Sequence, residues 1–220
     1  MTQKILFLVT SHSDLGDTGQ PTGLYLPEFA HPYEAFSKSG YSIEVASPHG
    51  GSAPIDPKST SEELALYTRY VQQTIPLKDI DPKEYDAFFV VGGHGVMWDL
   101  PNNLDVQRIL VSAFEQGKIL AAVCHGPAAL VNLCLSNGHS LLQGRQVTGF
   151  SNNEEATIGL THVMPFLLED ALKKAGADYT CMSNWQAHVV IDGQLITGQN
   201  PASALEISQA VINSLSSLPL

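Results

Sequence analysis

The chain has few basic residues and few cysteines, and each shortage excludes a class of protein. Among its 220 residues, 11 Lys and Arg stand against 22 Asp and Glu, which gives a formal net charge of −11 at pH 7. Such a surface repels phosphate backbones and anionic lipids, so we expect neither nucleic acid nor a membrane as a partner. The three cysteines, at positions 124, 134 and 181, lack the spacing of a disulfide framework or a zinc site.

Long apolar runs, low-complexity segments and internal repeats are also absent from the sequence. No run approaches the roughly 18 residues of a membrane-spanning helix, and the first run, residues 5–9, is too short for the core of a signal peptide. We therefore expect a cytoplasmic protein. Because 44% of the residues are hydrophobic and 15% are charged, the chain is predicted to form one domain over residues 1–220 with a sizeable core.

Sequence motifs for metals and cofactors are missing as well. The eight histidines are scattered, and no His-x-His, His-Glu-x-x-His or Cys-x-x-Cys pattern occurs. The glycine-rich loop 92–95 is not followed by Gly-Lys-Ser/Thr, so it does not fit a phosphate cradle. We therefore expect neither a functional metal nor an organic cofactor.

Buried strands and amphipathic helices alternate along the chain. Predicted strands occupy residues 4–10, 41–46, 87–91 and 119–123, and a final pair is joined by Asp192-Gly193. Predicted helices begin near residues 27, 61, 104, 164 and 203 and end near residues 40, 73, 116, 174 and 215. This alternation predicts an α/β fold with a mostly parallel sheet that is covered by helices on both faces.

Cys124 stands where one of these strands turns into a helix. The apolar run 119–123 ends at the cysteine, and Pro127 suits the first turn of the following helix. Ala122 and Gly126 flank the cysteine where a nucleophile elbow crowds strand against helix. Oriented N–H groups at a helix N-terminus favour the thiolate, so we expect a lowered pKa and a reactive nucleophile at Cys124. A buried structural cysteine is the alternative.

The loop that contains Gly92 and Gly93 follows the strand expected beside Cys124. Open parallel sheets bind their ligands at the carboxyl edge of the strands, so this loop and the cysteine are expected to be neighbours. Glycines let backbone N–H groups approach a reacting oxygen closely. We expect the amides of Gly93 and His125 to form an oxyanion hole, and a simple turn is the alternative.

Three segments together resemble the ThiJ/PfpI superfamily: residues 122–128 around Cys124, the loop 91–95, and Pro27-Glu28-Phe29. An extension at residues 47–74 and the segments 148–151 and 197–203 resemble its glutathione-independent glyoxalase and stress-chaperone branch. The resemblance covers nearly the whole chain. It implies a flavodoxin-like sheet, a cysteine nucleophile at an elbow, an acidic residue close to the sulfur, and a homodimer.

The resemblance also implies a role for each candidate residue. Cys124 would attack the aldehyde carbon of a 2-oxoaldehyde, while the backbone of Gly93 and His125 holds the oxygen. The carboxyl group of Glu28 would lie against the sulfur, remain protonated beside the thiolate charge, and shuttle protons. His125 would act as the general base, because its unperturbed pKa is near neutrality.

An acidic residue should orient His125, and the resemblance places it in the segment 151–155. Aligned on Ile158-Gly159, Glu155 is the better match and Glu154 is the alternative. Both glutamates also suit the first turn of a helix, where the dipole favours negative charge. Trp98 is predicted to line the mouth of the substrate pocket, with packing in the interior as the alternative.

Three classes of function remain open at this point. The first is a cofactor-free, cysteine-dependent enzyme that converts small 2-oxoaldehydes, with methylglyoxal giving lactate and deglycation repair as a related activity. The second is a holdase chaperone or oxidation sensor with little turnover. The third is a glutamine amidotransferase or peptidase, which rests on analogy of fold alone. A late His-Pro-Glu, the amidotransferase signature, is replaced near residues 200–203 by Asn-Pro-Ala-Ser.

Overall fold

A seven-stranded sheet forms the centre of the molecule, which the computed structural model describes over residues 2–217. The strands of the structure are β1 (Lys4–Leu8), β2 (Ser42–Ser47), β3 (Ile75–Pro76), β4 (Ala87–Val90), β5 (Ile119–Val123), β6 (Gln146–Val147), β7 (Asp178–Tyr179), β8 (Val189–Asp192) and β9 (Leu195–Gly198). The large sheet has the order β3-β2-β1-β4-β5-β9-β8. Its neighbours pair in parallel except β8 and β9, and β6 and β7 form a separate parallel pair.

Helices surround this sheet. The α-helices are α1 (Leu26–Lys38), α2 (Val96–Asp99), α3 (Leu104–Glu115), α4 (Asn152–Thr157), α5 (Leu168–Lys174) and α6 (Ala204–Ser217). Short 3-10 helices span Gly16–Thr18, Pro57–Ser59, Ala65–Val71, Leu77–Asp79, Pro82–Glu84, Gly126–Leu130 and Pro201–Ser203. Helices α1 and α6 pack against each other, and α3 packs on β5. The predicted α/β fold with a mostly parallel sheet is confirmed.

A cluster of phenylalanines joins α1 to the centre of the sheet. The Phe7 ring on β1 lies 5.5 Å from the Phe29 ring and 5.8 Å from the Phe36 ring, both on α1, in edge-to-face contacts. Phe7 also stacks on Phe89 of β4 at 5.0 Å. All four rings are buried, and such aromatic pairs each add about 1 kcal/mol beyond the burial of their surface. The cluster therefore fixes the position of α1, and with it Glu28 in its first turn.

The predicted helix at residues 61–73 is instead a 3-10 helix, Ala65–Val71. Only Val71 of this segment is fully buried, whereas Leu64, Tyr67 and Tyr70 are partly buried against the core, so the segment has little buried surface to support an α-helix. Its contacts are aromatic: the Tyr70 ring stacks on Tyr33 of α1 at 4.3 Å. The helix expected after Cys124 is also a five-residue 3-10 helix, Gly126–Leu130.

The extension at residues 47–74 is tied to the start of α1. Ser59 Oγ accepts a hydrogen bond from the Leu26 amide at 2.9 Å, and the Leu24 amide donates to the Pro54 carbonyl at 2.9 Å. The extension therefore supports the loop that leads into Glu28. Between residues 2 and 217, no helix is both long enough and apolar enough to cross a membrane.

Candidate active site

Cys124 occupies a strained corner directly after β5. Its φ angle is +59°, in the left-handed region that residues other than glycine rarely adopt. Two backbone hydrogen bonds of 2.9 Å hold it there: its amide donates to the Gly198 carbonyl, and its carbonyl accepts from the Phe150 amide. This is the nucleophile elbow predicted from the sequence, in which the strained backbone presents the side chain at the edge of the sheet.

Glycines leave room for this corner. A Cβ atom on Gly126 would lie 2.5 Å from the Val90 carbonyl oxygen, a backbone atom of β4. A Cβ atom on Gly92 would lie 2.5 Å from the Val123 carbonyl oxygen and would also collide with the Glu28 carboxyl group. The elbow can therefore approach β4 and the loop after it only because both positions lack side chains.

Gly126→Ala is expected to lower the free energy of unfolding by about 3 kcal/mol, because rigid backbone opposes the added methyl group. Urea denaturation measures the change. The control is Gly149→Ala, whose Cβ atom would meet the flexible end of Leu168 at 3.1 Å and should cost less than about 1 kcal/mol. Equal losses in the two variants would refute the steric argument.

Cys124, His125 and Glu155 form a chain of contacts. Cys124 Sγ lies 3.4 Å from His125 Nδ1, and His125 Nε2 lies 2.7 Å from Glu155 Oε2. His125 is buried and its ring packs on Phe150, with the centroids 4.4 Å apart. Burial lowers the pKa of His125, and the neighbouring His94 lowers it further, against the opposing effect of Glu155. The imidazole is therefore neutral near pH 7 and can accept a proton.

Of the two candidate acids, Glu155 is the one that contacts His125. Burial disfavours its ionisation, but the hydrogen bonds to His125 and His94 outweigh this effect and lower the pKa of Glu155 to about 2. Glu154 points elsewhere. Its carboxylate is buried and accepts hydrogen bonds from Ser151, Gln199, Asn200 and the Trp185 amide. Glu154 thus ties α4 to two other segments, whereas Glu155 faces the cysteine site.

His94 is a site residue that the sequence reasoning did not assign. Its Nε2 lies 3.2 Å from Glu155 Oε1, and its ring centroid lies 4.3 Å from that of His125. The only signal in the sequence is its position directly after Gly93 in the glycine-rich loop. Since one carboxylate binds both imidazoles, the site contains a histidine pair rather than a single histidine.

Glu28 lies in the first turn of α1, against the sulfur of Cys124. Its side chain is fully buried, and within residues 2–217 neither carboxyl oxygen has a regular hydrogen-bond partner. Burial raises the pKa of Glu28 to about 8, and the adjacent Cys124 thiol and Gly92 amide offset only part of this effect. Glu28 is therefore protonated at neutral pH, as expected from its place beside the sulfur.

This raised pKa predicts a pH-dependent cost to stability. The unfolded chain releases the Glu28 proton near its ordinary value of 4.5, whereas the folded chain holds it to about 8. The contribution of Glu28 to the free energy of unfolding is thus greatest below pH 4.5 and is lost as the pH rises toward 8. Between pH 5 and pH 8, wild type should lose about 3 kcal/mol relative to Glu28→Gln, measured by urea denaturation. Glu34→Gln, an exposed site on the same helix, should follow wild type. If the free energy of unfolding varied with pH in the same way for all three proteins, a buried Glu28 with a raised pKa would be excluded.

The pKa of the Cys124 thiol shifts upward, opposite to the direction predicted from a helix N-terminus. Burial raises the pKa of Cys124, and the Glu28 carboxylate, when ionised, raises it further, while the His125 amide lowers it. The reason for the difference is that only a short 3-10 helix follows the elbow, so its dipole is too small to outweigh burial. The thiol therefore needs a base to remove its proton, and His125 Nδ1 faces it.

Cys124 opens into a cavity of about 250 Å³. The cavity wall consists of Leu15, Tyr25, Asp56, Lys58, Gly93, His94, Cys124, His125, Phe150, Ile158, Leu160, Trp185 and Pro201. Gly93 and His125, which were expected to form an oxyanion hole, thus both line the cavity that contains Cys124. Trp98 is not part of the wall: its ring stacks on His12 with the centroids 4.9 Å apart. The structure places Trp185 at the pocket instead, with a φ angle of +65°.

Comparison with known proteins gives consistent matches over nearly the whole chain. Residues 23–214 match the DJ-1/PfpI family. The chain is 32% identical to glyoxalase 3 of Candida albicans, over 95% of this chain and 97% of that protein. It is 29% identical to the glutathione-independent glyoxalase HSP31 of Saccharomyces cerevisiae, over 97% and 98% of the two chains. The crystal structure of the Rapid Encystment Protein 24 KDa of Francisella tularensis superposes with a TM-score of 0.92 at 39% identity, over 97% of this chain and 99% of that one.

Proposed function

This chain belongs to the DJ-1/PfpI family, and we propose that it is a glutathione-independent glyoxalase that converts methylglyoxal, or a related small 2-oxoaldehyde, to the 2-hydroxy acid. One observation carries the proposal: at the wall of a cavity, the thiol of Cys124 stands at a strained elbow and faces the base His125, which in turn contacts Glu155. The names of the yeast relatives support this activity class.

In the first step, Cys124 adds to the aldehyde. His125 Nδ1 accepts the thiol proton, and the sulfur attacks the aldehyde carbon. The negative charge that develops on the carbonyl oxygen is stabilised by the backbone N–H groups of Gly93 and His125. The oxygen then takes up a proton to give a hemithioacetal. Glu28, protonated at neutral pH, is the proton donor closest to the sulfur.

In the second step, a proton moves between the two reacting carbons. The thiol proton passes from His125 to the Glu28 carboxylate, which gave its own proton to the oxygen, and this leaves the imidazole neutral. His125 then removes the hydrogen from the carbon bonded to sulfur, which gives an enediol, and a proton is returned to the neighbouring carbon, which gives a thioester. Water then hydrolyses the thioester and restores the thiol. The aldehyde carbon is oxidised while the ketone carbon is reduced, so the net reaction, methylglyoxal plus water to lactate, balances without an external oxidant or reductant.

The experiment that tests this function is lactate formation from methylglyoxal in D₂O, without glutathione, using the full chain. We expect many turnovers per chain and deuterium at C2 of lactate, because a proton held by a base exchanges with solvent before it is returned. The control is the same mixture without protein, which corrects for spontaneous loss of the aldehyde. Stoichiometric consumption without lactate would contradict the proposal and favour a sensor or holdase.

Three further proposals go with this function. The chain is one domain over residues 1–220 with a branch-type extension at residues 47–74, it forms a homodimer, and it acts in the cytoplasm. The hydrogen bonds that join the extension to the start of α1 support the first of these. Light scattering on the purified chain tests the second, and a monomer mass would refute it.

A further inference from the structure

Two imidazole nitrogens and one carboxylate converge from three separate segments beside the cavity. His94 follows β4, His125 follows β5, and Glu155 lies on α4. We refer to these residues as the His94–His125–Glu155 trio. One ligand atom from each of the three lies within 4.8 Å of the other two. Sequence spacing did not reveal this cluster, because the three residues meet only in the folded chain.

The distances within the trio are close to those of a tetrahedral metal site. Zn²⁺ holds histidine nitrogen at about 2.0 Å and carboxylate oxygen at about 2.1 Å, which places its ligands roughly 3.4 Å apart. His94 Nε2 lies 3.2 Å from Glu155 Oε1, and His125 Nε2 lies 2.7 Å from Glu155 Oε2. Both contacts are shorter than this separation and run to different carboxylate oxygens, so the two hydrogen bonds must open for an ion to enter.

We propose that the His94–His125–Glu155 trio is a binding site for Zn²⁺, and that the bound ion inhibits the enzyme. Two imidazoles and one carboxylate suit Zn²⁺ rather than Mg²⁺ or Ca²⁺, which prefer oxygen ligands. His94 and His125 both line the cavity, so the ion has a path from solvent, and water in the cavity would complete its coordination.

Inhibition follows because the two nitrogens of the His125 ring have different partners: Nε2 would bind the metal, and Nδ1 faces the thiol. A metal bound to Nε2 leaves Nδ1 as the nitrogen that carries the proton in the neutral imidazole. That nitrogen faces Cys124 Sγ at 3.4 Å, so it can no longer accept the thiol proton. The ion also removes Glu155 from its contact with Nε2–H. The inhibitory effect rests on the proposed glyoxalase function, whereas the binding of zinc does not.

Cys124 is not a ligand in this proposal. Its sulfur lies at the Nδ1 edge of the His125 ring, while the trio uses the Nε2 edge. This distinguishes the site from the common case in which zinc inhibits a cysteine enzyme through the thiolate. It also means that the metal site survives when the thiol is removed.

Zinc binding is measured on the full chain by competition with a chromophoric zinc indicator, without substrate. Cys134 and Cys181 are exposed free thiols, so both are replaced by serine in the background protein. We expect one zinc per chain, with affinity lowered about a hundredfold or more in His94→Gln and in Glu155→Gln. Cys124→Ser should bind zinc as the background does, and so should His12→Gln, a histidine outside the trio.

The absorption spectrum of bound Co²⁺ tests the ligand set without any substitution in the trio. Co²⁺ in the background protein should give the absorption of a tetrahedral ion without a thiolate-to-cobalt charge-transfer band, and added zinc should remove the signal. Unchanged zinc affinity in His94→Gln, loss of affinity in Cys124→Ser, or a thiolate band with Co²⁺ would each overturn the proposal. Zinc binding without any lactate formation would leave the metal site standing and would refute only the proposed function.

Discussion

Cys124→Ser is expected to lower kcat/KM for methylglyoxal by at least about a thousandfold, because the reaction loses its nucleophile. A buried hydroxyl is far less acidic and less nucleophilic than a thiol, and a serine in this position has only the weak base His125 to activate it. The loss should appear in kcat, since the cavity wall and the amides proposed to bind the oxygen are unchanged. Lactate formation without glutathione is the measurement.

The fold of the Cys124→Ser protein should be intact. Serine is nearly isosteric with cysteine. The two hydrogen bonds that hold the positive φ angle join the backbone of residue 124 to the Gly198 carbonyl and the Phe150 amide, and they do not involve the side chain. Unfolding in urea should therefore resemble that of wild type. Cys134→Ser and Cys181→Ser remove exposed free thiols and should retain full activity. Residual turnover above about one per cent in Cys124→Ser would show that another group does the chemistry.

Glu155→Gln is expected to lower kcat by about a hundredfold or more, with a smaller change in KM. The carboxylate accepts from His125 Nε2 at 2.7 Å, which directs Nδ1 toward the thiol and stabilises the imidazolium when it forms. An amide carries no charge, and its NH₂ group can turn toward Nε2 and favour the wrong tautomer. Because its pKa is about 2, Glu155 remains ionised from pH 4 upward, so wild-type activity should not fall in that range through its protonation.

Glu154→Gln is the matched control for this prediction. Glu154 is adjacent in sequence and equally buried, but its partners are Ser151, Gln199, Asn200 and the Trp185 amide. Its replacement should reduce stability, because a buried charged acceptor with several donors is weakened, while kcat changes less than about threefold. If Glu154→Gln abolished turnover and Glu155→Gln did not, the assignment of the orienting acid would be reversed.

The alternation of apolar runs was sufficient to predict the sheet and most helices. The strand at Ile119–Val123 lies where the pattern places it, and so does the helix at Leu104–Glu115. Buried parallel strands are continuous apolar runs, so they are visible in the sequence without any tertiary information. The helix predicted at residues 61–73 was wrong: the segment forms a 3-10 helix whose contacts with α1 are aromatic and only partly buried, and spacing in the sequence does not show how much surface a segment buries.

The candidate site was only partly visible in the sequence. Cys124, His125, Glu28 and Gly93 were identified from local motifs and family resemblance, and the structure brings them together. Three features were missed: the place of His94 on Glu155, the position of Trp98 outside the pocket, and the raised pKa of the thiol. Each of these features depends on the spatial distance between a side chain and residues that are far away in the sequence.

The sequence by itself determined the alternation of the main strands and most helices and the turn at Cys124, because these follow from periodicity and local backbone preferences. The tertiary structure alone decided that Glu155 rather than Glu154 contacts His125, and that His94 joins them. It also decided which groups are charged. Protonation depends on burial and on charges within a few ångströms. Those neighbours come together only in the folded chain, where the loops that follow β4 and β5 pack against α4.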